Sequence, residues 1–139
     1  MISIEEALEG STPLANKVRA RGRYHTPEEV ISAMRAVLPT MTEEEKVATL
    51  NAHPRIGEDP KRLSSRSLIE QGADVLPELE QLNADYEHRF GFRFVVFVNR
   101  RPKAEIVEVL RQRLTRSREE EMEAGLQAIV DIAEDRLRS

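Results

Sequence analysis

Apolar side chains recur every three or four positions through most of this chain, which is the repeat of helices with one buried face. Val30, Ile31, Met34, Val37 and Leu38 form one such stripe. It is preceded by Thr26-Pro27-Glu28-Glu29, where threonine can cap, proline is tolerated in the first turn, and Glu29 is placed to complete a capping box. Pro39 ends this helix. Thr42-Glu43-Glu44-Glu45 repeats the start signal and predicts a short helix carrying Val47 and Leu50 to about Ala52. His53-Pro54 stops it, because a residue before proline is pushed out of helical geometry, and a loop should follow to about Lys61. Ser64 or Ser65 caps a next short helix carrying Ser67, Glu70 and Gln71, followed by a break near Gly72 to Pro77. Leu79, Leu82, Tyr86 and Phe90 mark another helix, with Gly91 placed to end it. Ile106, Val107, Leu110 and Leu114 define a helix between Pro102 and Leu114. Met122, Leu126, Ile129, Val130, Ala133 and Leu137 define the last one, from about Arg118.

Phe92 to Val98 breaks the helical rhythm with β-branched and aromatic residues. One such segment is too short and too solitary for a sheet, so it should run extended through a helical core. The fold expected is all-α: a compact single-domain helical bundle over residues 1–139, with one short extended segment at about 92–98 inside. The length of 139 residues suits one domain with a real core.

Composition narrows the function classes. The formal net charge is −4, which does not suit a surface that neutralises nucleic-acid phosphates. Local basic clusters at Arg19 to Arg23, Arg100 to Lys103 and Arg111 to Arg118 read as solvated faces or loops. Cysteine is absent, which removes disulfides and thiol chemistry and suits a reducing compartment. No run approaches the roughly twenty apolar residues of a membrane span. The start, Met1-Ile2-Ser3-Ile4-Glu5-Glu6, lacks the layout of a signal peptide, and Leu137-Arg138-Ser139 is not a peroxisomal address, so a cytoplasmic protein is expected.

Several residues carry candidate chemistry. His53 stands at a helix end, where an imidazole can serve the last carbonyls, or act as a general acid or base near neutrality while Pro54 fixes the chain beside it. Ser67, Glu70 and Gln71 are spaced to share one helix side, either as a solvated face or as a hydrogen-bonding set for a polar ligand. Phe94, Val95, Val96, Phe97 and Val98 have core side chains, but an unpaired extended backbone must satisfy its N–H and C=O groups, and the rim of a planar ligand can do so. Arg136 follows Ile132 by four residues and Ile129 by seven, on the apolar side of the last helix. Its guanidinium either snorkels to solvent or turns inward to grip a carboxylate. His25, His53 and His88 show no metal-ligand spacing, and His88 reads as a surface residue. Phosphate-loop, dinucleotide and nucleophile-elbow motifs are missing.

In order and content, the four segments Asn51 to Gly57, Ser67 to Gln71, Phe90 to Val98 and Asp131 to Leu137 together resemble the OHCU decarboxylase family, from roughly Ser11 to Leu137. Its members act on 2-oxo-4-hydroxy-4-carboxy-5-ureidoimidazoline (OHCU) in urate breakdown. The matching elements are His53-Pro54, the Ser-x-x-Glu-Gln of Ser67 to Gln71, the Phe-Gly-Phe-x-Phe of Phe90 to Phe94, and the late Arg136-Leu137. The resemblance implies an all-α lyase, commonly homodimeric, that needs no cofactor or metal and yields CO2 and (S)-allantoin. By the same resemblance His53 is the catalytic acid and Glu70 its partner in orienting and polarising the substrate. Pro54, Ser67, Gln71, Phe94 to Val98 and Arg136 would line the substrate site. The chain departs from the family pattern at Arg55-Ile56-Gly57 and at Arg93, where a proline is common, and its first helix is expected to be abbreviated. Two other functions fit the residues: a related lyase or tautomerase acting on another ureido or imidazoline acid, and a non-enzymatic helical interaction module.

Overall fold

The computed structural model describes residues 1–57, 63–71 and 77–139. Among these, eight α-helices surround one core: α1 Ile4–Ala7, α2 Pro13–Ala20, α3 Pro27–Val37, α4 Glu43–Asn51, α5 Ser65–Gln71, α6 Pro77–Phe90, α7 Lys103–Arg113 and α8 Arg118–Arg138. A 3₁₀ turn, Leu38–Thr40, follows α3. The expected loop to Lys61 and the break near Gly72 to Pro77 fall largely outside the described residues.

Local chemistry sets the helix starts. Thr12, Thr26, Thr42 and Ser117 each accept from a backbone amide with a side-chain oxygen. At α4 and α8 the capping box is complete. At α3 it is not: the Glu29 carboxylate meets the Thr26 hydroxyl at 3.2 Å instead of the Thr26 amide. Gly91 ends α6 at φ +82°, a conformation that favours glycine.

Helix α8 is the spine. It packs against α1, α3 and α4, while α2 packs on α3 and α4 and α6 pairs with α7. The contact with α4 is close at Gly125, where an added Cβ would lie 2.7 Å from Leu50 Cδ2. Glycine is therefore needed for space, and the close approach fixes α4, whose end leads into His53, against α8.

Phe92 to Val98 runs extended, with no strand partner among the described residues. Side chains do what a neighbouring strand would do. The Arg93 amide donates to Asn51 Oδ1 at 2.9 Å. Arg113 Nη1 donates to the Val95 carbonyl at 2.9 Å, and Arg101 Nη2 to that of Phe97 at 2.6 Å. Phe92 and Phe94 pack edge-on to the buried Tyr86 ring, so the segment crosses the core.

One expectation about charge is corrected here. Arg111, Arg116 and Arg118 do lie at the surface, but Arg113 turns inward. Its Nε donates to Glu121 Oε1 at 2.7 Å, and Tyr86 Oη donates to the same oxygen at 2.7 Å. Burial and that carboxylate hold the Tyr86 phenol well above its usual pKa. Arg113 follows Leu110 by three residues and Ile106 by seven, so it shares the apolar face of α7 and is paired there with a buried carboxylate.

Candidate functional site

His53 lies just beyond α4, where its amide donates to the Leu50 carbonyl at 3.3 Å. Its own carbonyl accepts from Arg93 Nη1 at 3.1 Å. The side chain is 4% exposed, and Nε2 is buried without a hydrogen-bond partner. Burial lowers the imidazole to about 4; the Glu9 charge opposes this and the Arg136 charge adds to it. At pH 7 it is therefore a neutral imidazole with an unfilled nitrogen. Arg93, standing where the family commonly has proline, thus holds the histidine's backbone. Arg55, another departure from the pattern, pairs with Glu87 through both Nε and Nη2, at 2.7 and 2.9 Å.

Helix α5 presents Ser67, Glu70 and Gln71 on one side. The Ser64 hydroxyl accepts from the Ser67 amide at 3.1 Å, so Ser64 makes the cap. Ser67 is buried, and its hydroxyl donates to Glu9 Oε1 at 2.7 Å. Gln71 Oε1 accepts from the Gly57 amide at 3.2 Å, tying α5 to the loop after His53.

Arg136, in the last turn of α8, is 2% exposed and turned inward. The carboxylate it grips is Glu70: Nε donates to Oε2 at 2.9 Å and Nη2 to Oε1 at 2.8 Å, a bidentate pair. Nη2 also reaches Glu9 Oε1 at 2.8 Å, and Nη1 donates to the Glu6 carbonyl at 3.1 Å. Each nitrogen of the guanidinium is engaged by the protein. Although burial opposes its charge, Glu70 and Glu9 raise Arg136 above its ordinary pKa and keep it cationic.

Glu9 is the member of this cluster that sequence reasoning missed. It follows α1 with φ +63°, in the left-handed region, and Gly10 continues the turn at +111°. Its carboxylate accepts from Ser64 Oγ at 2.9 Å as well as from Ser67 and Arg136. Burial alone would raise its pKa, but the bonds from Ser67 and Arg136 and the Arg136 charge lower it, so Glu9 is ionised at neutral pH. The one local hint is Thr12-Pro13, which repeats the Thr26-Pro27 start signal and shows that a turn must precede it.

A cavity of about 400 Å³ opens onto these groups. His53, Pro54, Ser67, Glu70, Gln71, Phe94, Val95, Val96, Phe97, Val98 and Arg136 all line it, so the candidate residues of all four sequence segments meet at one place. Arg66, Asn99 and Asp135 line it too, without having been singled out from sequence, and so does Arg100, which was expected only in a solvated basic cluster. Among the described residues no group of three or more histidines and carboxylates is placed to hold a metal ion. The arrangement offers a neutral proton acceptor, an anionic hydrogen-bonding wall and a strip of extended backbone, a set suited to a small polar ring whose proton must be moved.

Comparison with known proteins gives a consistent picture. The family model for OHCU decarboxylase matches residues 2–138. The chain is similar to the 2-oxo-4-hydroxy-4-carboxy-5-ureidoimidazoline decarboxylase of Haloferax volcanii, at 29% identity over 95% of this chain and 83% of that protein. It is also 31% identical to the uric acid degradation bifunctional protein PucL of Bacillus subtilis, over 93% of this chain but 28% of that protein. Among solved structures it resembles an OHCU decarboxylase crystallised in the presence of (S)-allantoin, with TM-score 0.76, 25% identity, and coverage of 96% of this chain and 92% of the other.

Proposed function

Because the chain belongs to the OHCU decarboxylase family, we infer that it is a carboxy-lyase converting OHCU to (S)-allantoin and CO2 in urate degradation. The observation that carries this reading is the buried, unpartnered His53 Nε2 at the wall of a cavity floored by Glu70, Ser67 and Arg136.

The chemistry follows from the groups present. The bond from the hydroxyl-bearing carbon to the carboxylate breaks, CO2 leaves, and the bonding pair enters the adjoining ring C=N system. The hydroxyl proton must leave that oxygen as a carbonyl forms, the neighbouring ring carbon must gain a proton, and one solvent proton completes the neutral product. A neutral His53 can take the hydroxyl proton and, as imidazolium, return it to carbon from one face. His53 is then an acid only after it has been a base, which refines its expected role. Glu70, held rigidly by Arg136, accepts from ureido or ring N–H groups, and Ser67 and Gln71 complete the polar wall. The backbone of Phe94 to Val98 meets the rim of the ring, with Pro54 closing the side next to the imidazole. Arg136 acts chiefly on Glu70 and Glu9.

One domain over residues 1–139, assembled as a homodimer, is the organisation we propose on the family resemblance. The lack of cysteine is what supports a cytoplasmic setting. No helix among the described residues is long and apolar enough to cross a membrane.

The test is circular dichroism of allantoin formed from OHCU generated freshly by urate oxidation and hydrolysis, with and without the protein. Rapid appearance of one enantiomer is the expected result. Racemic product at the background rate would overturn the assignment.

A further inference from the structure

The charges around the cavity are unevenly distributed. At the floor, Glu9 and Glu70 contribute two negative charges against the single positive charge of Arg136, and His53 is neutral at pH 7. A carboxylate brought there would have to displace Glu70 or Glu9 from a guanidinium whose nitrogens are already engaged. The Phe94 to Val98 wall has no charge to offer. Among the described residues, the cationic ones lining the cavity apart from Arg136 are Arg66 and Arg100, and Asp135 is an exposed anion on the same lining. Arg66 donates through Nη1 to Ser139 Oγ at 3.4 Å. Arg100 is exposed.

The backbone singles out Arg100. It follows directly on the extended segment, and it and Asn99 are consecutive non-glycine residues at φ +63° and +49°. Two left-handed residues in succession are a strained arrangement that persists only where surrounding contacts impose it. Arg101 imposes it here: its amide and Nε donate to the Val98 carbonyl at 3.0 and 3.1 Å, and its Nη2 to that of Phe97 at 2.6 Å. The turn so fastened places the exposed Arg100 on the cavity lining.

We propose that Arg100 is a specificity residue that receives the substrate's carboxylate at the cavity rim, while the ring and ureido group face the floor. The proposal rests on the decarboxylase reading and deepens it. It also fits the chemistry: a water-screened cation holds the departing carboxylate only loosely, so little ground-state stabilisation is lost as CO2 forms. A carboxylate at the rim leaves as CO2 directly toward solvent.

The experiment compares wild type, Arg100→Gln and Arg100→Lys, measuring kcat and KM for OHCU and the binding of (S)-allantoin, a neutral product without the carboxylate. The glutamine variant should raise KM by about two- to fivefold, the upper part of the range for an exposed ion pair. It should leave kcat within about twofold and allantoin affinity unchanged, and it should flatten the rise of KM with salt. The lysine variant should recover most of the KM. An unchanged KM in Arg100→Gln, or a loss of allantoin affinity equal to the rise in KM, overturns the proposal while the decarboxylase reading stands. A wild type that neither accelerates the reaction nor selects one enantiomer overturns both.

Discussion

Helix α8 takes part in a buried ion pair near each end. Near its start, Glu121 meets Arg113 and the Tyr86 hydroxyl, with its side chain fully enclosed. In its last turn, about 22 Å further along the axis, Arg136 meets Glu70 and Glu9. The residue types and distances are nearly the same. The difference lies in what surrounds them. Neither Arg113 nor Glu121 lines the cavity, and their neighbours are rings, a backbone carbonyl and the Arg116 guanidinium, 3.4 Å from Glu121 Oε2. Arg136 and Glu70 line it beside a histidine with an unfilled nitrogen. A buried arginine–carboxylate pair is therefore no mark of a site by itself. Access to a cavity, and a neighbouring imidazole nitrogen left without a partner, separate the pair at the proposed site from the pair in the core.

That contrast can be broken from either end. His53→Asn should have the largest effect, lowering kcat by about 10²- to 10⁴-fold, the usual worth of a positioned acid–base group, with the melting temperature at pH 7.5 little changed. The same variant tests the sign of the histidine's pH effect. Since His53 is lowered from 6.5 to about 4 by folding, the unfolded chain binds its proton more readily between those values. Wild-type stability should fall as pH drops from about 6.5 toward 4, and urea unfolding at pH 7.5 and 5 should show a smaller loss in His53→Asn. A steeper loss in the variant would contradict the neutral imidazole. At the other end, Glu121→Ala strands Arg113 and should cost about 3–5 kcal/mol of stability in urea unfolding. Its turnover per folded molecule should remain within about twofold; a collapse of turnover in still-folded protein would erase the distinction. Glu9→Gln should have the smallest effect, lowering kcat/KM about tenfold because Arg136 keeps Glu70 while losing a second counter-charge, worth about 1.4 kcal/mol. Kinetics at pH 7.5 beside a thermal melt would check it, and a fall in stability alone would move Glu9 to the structural class.

Much of this was legible in the sequence where the signal was local. Thr26, Thr42 and Gly91 announced helix ends because caps and left-handed turns depend on neighbours a few residues away. The spacing of Ser67, Glu70 and Gln71 placed them on one side for the same reason. Arg136 was readable as a polar residue on an apolar stripe, yet Arg113 has the same spacing and escaped notice, because the basic run around it suggested a solvated surface. Glu9 was beyond local reading. Its importance comes from three partners distant in sequence and from a backbone conformation that no residue pattern marks. Nor could the spacing of Arg136 say that its partner would be the protein's own Glu70, since that depends on how α5 meets α8.

Glu9 and Arg136 stand 127 positions apart, yet they share a hydrogen bond at the centre of the site. For a growing chain this sets a timetable. Helix α2 can pack on α3 and α4, and α6 on α7, while α8 is still being made, but Glu9, Ser67 and Glu70 lack Arg136 to converge on until the last turn of that helix is complete. The cavity can thus be walled before it is wired. The catalyst should switch on as a whole only once α8 is complete, and a cut within its last turn should silence it even where most of the packed core survives.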